Sequence, residues 1–176
     1  MKTVDKKILD KFIRLASDHL RGNWVLLGGT ILPLLGVEHR VTTDIDLVGL
    51  SDNERAQTLQ LMTLAEKTGL PVESINQSAG FFLSKIKSFE KHLVVLKKSK
   101  GLTIYRPDTY LFLLLKIGRL TETDLSDCLE FIKIGQPLSA AECKSVIATL
   151  KSETRKTIPA DRLERMNALL KGLAKK

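Results

Sequence analysis

Apolar residues recur at helical spacing near the start of the chain. Ile8, Leu9, Phe12, Ile13, Ala16 and Leu20 follow Asp5, and Arg21-Gly22-Asn23 ends the pattern, which predicts an amphipathic first helix. Trp24-Val25-Leu26-Leu27 is a short apolar run stopped by Gly28-Gly29, and Thr30 to Gly36 reads as a short helix with Pro33 in its first turn. The implied order is strand, glycine turn, helix. Asp44 to Leu50 alternates and then turns apolar, as a buried strand does, and Ser51-Asp52 is the expected cap of a long helix ending at Lys67-Thr68-Gly69.

The chain then returns through Leu70 to Ile75, passes a Gly80-Phe81-Phe82 element and enters an expected hairpin: His92 to Lys97, a Ser99-Lys100-Gly101 turn, and Leu102 to Tyr105. From Pro107-Asp108 onward the periodicity is helical, over 110–119, 123–134, 139–150 and 160–174, with Gly135-Gln136-Pro137 and Thr157-Ile158-Pro159 as breaks. The pattern predicts a small α/β core followed by a helical C-terminal half, without internal repeats.

At 176 residues the chain is long enough for a core that needs no metal or disulfide staple, since a domain of this size buries roughly 70% of its unfolded surface. Cys128 and Cys143 lie in a segment read as helical, and no secretory context surrounds them, so a reducing, cytoplasmic setting is expected. The longest apolar run, Tyr110 to Leu115, is far short of the ~20 residues that span a bilayer, and no membrane insertion is expected. Net charge is +8 and unevenly placed: residues 61–120 hold ten basic side chains against four acidic ones, whereas residues 1–60 are balanced at eight each. Lys85, Lys87, Lys91, Lys97, Lys98, Lys100 and Arg106 supply the excess, which suits either phosphate-rich partners or a solvated lysine face.

Chemistry concentrates in Leu27-Gly28-Gly29-Thr30 and Arg40-Val41-Thr42-Thr43-Asp44-Ile45-Asp46-Leu47-Val48. On an extended strand Asp44 and Asp46 point to one face, and paired carboxylates make a platform for hard divalent cations that bridge a triphosphate and an attacking hydroxyl. Glycines after a strand let backbone N–H groups approach phosphate oxygens, and Thr30 offers a hydroxyl. Each motif alone is weak. Both together, with strand, turn, helix and strand between them, are much stronger.

These residues resemble the nucleotidyltransferase superfamily that includes DNA polymerase beta, the aminoglycoside nucleotidyltransferases and bacterial toxin enzymes of the abortive-infection type. The toxin-like branch matches best. A second block, Pro107-Asp108, Leu114-Leu115-Lys116-Ile117-Gly118-Arg119, Asp124-Leu125 and Asp127, looks like the lysine- and aspartate-bearing helical segment of those proteins, so the resemblance covers roughly residues 20–135. It implies a nucleotidyltransferase-like mixed sheet with flanking helices over 1–106 and a helical region over 107–176 packed on it as one unit. It further implies that Gly28, Gly29 and Thr30 hold the nucleotide's phosphates, that Asp44 and Asp46 bind Mg²⁺ or Mn²⁺, and that Arg40 with Thr42 or Thr43 contacts phosphate or braces the aspartates. Lys116 would neutralise triphosphate charge, oriented with Arg119 by Asp124 and Asp127.

Members of that superfamily usually carry a third carboxylate on a later strand. Glu73 is the candidate here, ahead of Glu90 and of Asp108, whose place before a helix start suits capping. His19, His39 and His92 match no zinc spacing, and His39 lies beside the aspartate motif. Phe81, Phe82 and Tyr105 could stack a base or belong to the core, and Cys128 reads as a small buried hydrophobe. Residues 160–176 set Leu163, Met166, Leu169, Leu170 and Leu173 on one face, for packing or for a partner.

Three functions follow as alternatives. One is an Mg²⁺-dependent transferase moving an NMP from an NTP to an RNA hydroxyl (tRNA) or a protein hydroxyl, as the toxin-like member of a toxin–antitoxin or phage-defence pair with a cognate antitoxin protein. Another is a catalytically inactive nucleotidyltransferase-like module that binds nucleotide, RNA or a protein partner. The third is a small-molecule transferase, which the lysine excess disfavours.

Overall fold

The computed structural model describes residues 4–37, 40, 42–50 and 54–175. The expected Ser51-Asp52 cap, His39 and Val41 lie outside them. Two compact units emerge, 1–107 and 108–176.

The N-terminal unit is a five-stranded mixed sheet with helices. Helix α1, Lys6–His19, is capped by Asp5, whose side chain accepts from Ile8 N, and it buries Leu9, Phe12 and Ala16. Strand β1, Gly22–Leu27, is central and buried from Trp24 to Leu27. A 3₁₀ turn over Gly28–Thr30 leads into the four-residue α2, Ile31–Leu34. Strand β2, Ile45–Gly49, pairs antiparallel with β1, and α3, Glu54–Thr68, follows. Gly69 and Leu70 close α3 by donating to Glu66 O and Ala65 O, a Schellman motif.

A 3₁₀ turn at Val72–Ser74 enters the two-residue β3, Ile75–Asn76, parallel to β2; the short α4, Ala79–Leu83, comes next. The hairpin is β4, Leu93–Ser99, and β5, Leu102–Pro107, with an irregularity between Val95 and Lys97. Strand β5 runs parallel to β1, and the sheet order is β3-β2-β1-β5-β4. Because β1 is flanked on both edges, its four apolar residues in a row are buried on both faces rather than alternating.

The C-terminal unit is all helical: α5, Thr109–Ile117; α6, Glu122–Ile134; α7, Ala140–Thr154; and α8, Ala160–Ala174. Asp108 caps α5 by accepting from Leu111 N, the role its position suggested. Phe112 and Phe131 stack at 4.1 Å between α5 and α6. Helix α8 buries Met166, Leu169 and Leu173, and its two arginines serve α5. Arg162 donates to the carbonyls of Ile117 and Gly118, and Arg165 to that of Leu120, satisfying acceptors that the end of a helix leaves open. Among the described residues no helix is long and apolar enough to cross a membrane.

Both cysteines are free thiols. Cys128 is buried in α6, and burial pushes its thiol up to about 12. A thiolate-seeking reagent is therefore expected to leave Cys128 unmodified in the native protein and to reach it on denaturation, which a thiol count with and without guanidinium reads directly. Rapid native modification of Cys128 would contradict this packing.

Candidate functional site

Leu27, the last residue of β1, registers against Asp46 on β2, and the glycine turn begins at the next residue. Gly28 adopts φ +67°, in the left-handed region, and has the Asp46 carboxylate directly against its Cα. A methyl there would overlap Oδ2 and stand 3.1 Å from Cγ. Glycine is required at this position twice over, by backbone conformation and by the carboxylate's approach.

The other Asp46 oxygen is held from β3. Asn76, the register partner of Asp46, donates from Nδ2 to Asp46 Oδ1 at 3.2 Å, and its own Oδ1 accepts from Ser78 N at 2.9 Å. The Ser78 contact fixes which end of the amide faces Asp46, since a backbone N–H needs an acceptor. Sequence reasoning missed Asn76; its signal is an Asx turn closing on Ser78, too common to single it out.

Asp44 precedes β2, whose first residue is Ile45. Burial alternates through the motif: Ile45 and Leu47 are fully buried, and Asp44, Asp46 and Val48 are half-buried. Two neighbours brace the Asp44 backbone. The Thr30 hydroxyl, itself buried, donates to Asp44 O at 3.0 Å, and the Thr42 hydroxyl donates to the same carbonyl at 3.1 Å. Thr42 is fixed in turn by a bridge to Val4, with Val4 N donating to Thr42 O at 2.7 Å. Arg40 is half-buried and Thr43 exposed, while Gly29 is buried in the turn. The structure therefore brings Gly28, Gly29, Thr30, Thr42, Asp44 and Asp46 together. Glu73 is exposed on the turn before β3, so the side chain set beside Asp46 by strand register is Asn76, an amide. Glu90 is exposed on a separate 3₁₀ turn, Phe89–His92.

In the C-terminal unit Lys116 is buried with two carboxylates. Its Nζ donates to Asp124 Oδ1 at 2.8 Å and to Asp127 Oδ2 at 3.1 Å. Arg119 reaches Asp124 with two further bonds of 2.7 and 2.8 Å, and Thr121 closes a capping box on the same carboxylate. Burial alone would raise the Asp124 pKa, but the bonds from Arg119 and Lys116 outweigh it and hold the carboxyl well below its usual range. The pairing of Lys116 and Arg119 with these aspartates follows the i, i+3 placement of Asp124 and Asp127.

A family model described as "Nucleotidyltransferase of unknown function (DUF6036)" matches residues 4–166. The chain belongs to this family. Its matched region takes in both units, from the bridge at Val4 to the middle of α8. No curated protein matches the chain. Among solved structures, an antigenic nucleotidyltransferase-like protein from Paracoccidioides brasiliensis is similar at 14% identity, with 95% of each chain covered and a TM-score of 0.40.

Two half-buried aspartates before and on β2 are a donor set that fits Mg²⁺. That ion takes hard oxygens in an octahedral shell, commonly from one or two carboxylates with substrate phosphates and waters for the rest. Asn76 turns an N–H toward Asp46, so it orients a ligand and does not add one.

Proposed function

We propose that this member of the nucleotidyltransferase family transfers an NMP from an NTP to a hydroxyl of an RNA, with tRNA as the first acceptor to test, in a Mg²⁺-dependent reaction. The observation that carries the reading is Asp46, seated against the Cα of a left-handed Gly28 and held by Asn76 at the mouth of a glycine turn. A carboxylate so fixed is preorganised, and phosphoryl transfer is mostly positioning and electrostatic stabilisation. In this reading Asp44 and Asp46 hold the metal, which when bound neutralises phosphate charge. Backbone N–H groups of Gly28 and Gly29 meet phosphate oxygens, and Arg40 and Thr43 lie at the phosphate side. Thr30 and Thr42 act through the Asp44 carbonyl, keeping the aspartate backbone in place.

The acceptor oxygen bonds to the α-phosphorus, the bond to the β-phosphate oxygen breaks and pyrophosphate leaves. Asn76 has no basicity to offer, so the acceptor's proton passes to water, with Glu73 on the adjacent turn as the nearest carboxylate in sequence. Lys116 enters this reading as a positioning residue of the C-terminal unit, because its ammonium is already matched by Asp124 and Asp127. The resemblance to the toxin-like branch suggests a toxin–antitoxin or phage-defence setting, with a cognate antitoxin protein as partner.

The test incubates the protein with Mg²⁺, each of four α-labelled NTPs and total tRNA, with the Asp44→Ala/Asp46→Ala double variant as control. Label on RNA from wild type only is the expected result. Label on a protein band would move the acceptor class, and no transfer by folded protein with any NTP would leave an inactive nucleotide-binding module.

A further inference from the structure

Asp46 and Val48 are two residues apart on β2 and project from the same face of the sheet. Helix α4 lies on that face: a methyl on Gly80 would stand 2.9 Å from Val48 Cγ1, so the helix backbone sits close over the strand. Asn76 fixes the approach to α4, holding Asp46 with one end of its amide and the N–H of Ser78 with the other. The strand that carries the candidate metal ligand is thus tied to α4 at two points.

Leu83 turns inward from α4, but its aromatic residues do not. Phe81 and Phe82 are 62% and 57% exposed. Their rings meet edge to face at 5.5 Å, and Lys85 Nζ lies 3.8 Å from the Phe81 centroid. Two adjacent phenyl rings left more than half exposed are largely outside the core and present apolar surface to solvent. The residues that follow are strongly basic. Lys85, Lys87 and Lys91 are exposed on the segment between α4 and β4, where Glu90 is the one acid; the exposed Lys97, Lys98 and Lys100 belong to β4 and its turn, at the other edge of the sheet from β2.

We propose that Phe81 and Phe82 are a stacking platform for the unpaired bases of a single-stranded RNA whose phosphates lie along Lys85, Lys87 and Lys91. The ring of Phe82 and the face of Phe81 turned away from Lys85 supply π-surface that any base can use, and the lysines supply the charge that tracks a backbone. Three exposed lysines within the seven residues 85–91, directly after the paired rings, suit a polyanion. A duplex keeps its bases stacked internally, so the platform selects single strands. That the bound strand is the acceptor of transfer rests on the function proposed above; the binding itself does not.

The experiment measures fluorescence anisotropy of a labelled single-stranded RNA of about 12 nucleotides with the full chain and no NTP, a length within the range one single-strand-binding surface covers. Phe81→Leu/Phe82→Leu keeps apolar bulk and removes the rings, and is expected to weaken binding by about tenfold or more, from stacking of about 1–3 kcal/mol per base. Phe81→Tyr/Phe82→Tyr is expected to bind as wild type does, and wild-type affinity is expected to fall steeply with salt. Circular dichroism confirms that each variant is folded. The proposal is overturned if the leucine variant binds within about twofold of wild type, if a duplex of the same sequence binds equally well, or if excess Mg²⁺–ATP displaces the RNA and so marks the rings as the NTP base site. Because no NTP is present, loss of stacking can be established even where transfer fails, and transfer can be established where stacking fails.

Discussion

Lys116→Met is expected to destabilise the C-terminal unit by about 3–5 kcal/mol, the cost of removing one partner from a buried ion pair. The methionine fills the space of the alkyl stem, so the loss is electrostatic. It leaves Asp124 and Asp127, both with side chains about 1% exposed, without the ammonium that bonds to each. Arg119 still serves Asp124, but from a side chain that is 71% exposed, where solvent screens its charge. In denaturant unfolding the fluorescence of Trp24, in β1, reads the N-terminal unit alone, while far-UV circular dichroism reads the helices of both units, so destabilisation of the C-terminal unit shows as a dichroism transition that precedes the fluorescence one. A variant as stable as wild type would mean that Lys116 is not the counter-charge the geometry makes it.

The sign of the pH dependence gives a second reading of the same cluster. Asp124 has a folded-state pKa lowered below its ordinary value of 3.8, because the bonds from Arg119 and Lys116 outweigh the burial that opposes them. A group depressed in this way contributes its full stability above its unfolded pKa and loses it as pH falls through the folded value. In Lys116→Met the burial penalty stays while the Lys116 bond is gone, so Asp124 takes up a proton at higher pH than in wild type. The gap between variant and wild type is therefore expected to be widest at neutral pH and to narrow only in acid, as pH falls through the variant's carboxyl value toward the lower one of the wild type. A gap that stays constant into acid would assign the loss to packing.

Much of this was legible in the chain itself, for identifiable reasons. The first helix, predicted from Ile8 to Leu20, spans Lys6–His19, since a strict apolar stripe and an Asp cap both mark it. The hairpin and four C-terminal helices fall where turn residues and helical periodicity put them. The short elements were less visible. Two-residue β3 has no periodicity to read, so Asn76, its contribution to the site, stayed hidden behind the more conspicuous Glu73. Phe81 and Phe82 were ambiguous between core and surface, because a five-residue helix is too short for its pattern to say which side faces the sheet. Thr30 looked like a phosphate donor in sequence; only the three-dimensional path turns its hydroxyl onto Asp44 O.

Gly28→Ala is expected to reduce NMP transfer by two orders of magnitude or more while leaving the sheet folded, a loss on the scale of misplacing a reacting group by about 1 Å. Two costs are superimposed. The first is conformational: a non-glycine residue in the left-handed region costs roughly 1–2 kcal/mol. The second is the overlap of the new methyl with Asp46 Oδ2, which moves the carboxylate off Gly28 and strains its bond from Asn76. Gly69→Ala separates them. Gly69 adopts φ +70°, nearly the same backbone as Gly28, and a methyl added there would meet nothing within 4 Å, so it carries the conformational cost alone. Transfer lost in Gly28→Ala and retained in Gly69→Ala would locate the effect at the carboxylate. If Asp46 is the metal ligand, the Gly28 variant also needs more Mg²⁺ for half-maximal transfer, whereas Gly69→Ala keeps the wild-type requirement. Should Gly28→Ala transfer at the wild-type rate, the seat between glycine and asparagine is not what prepares Asp46 for the reaction.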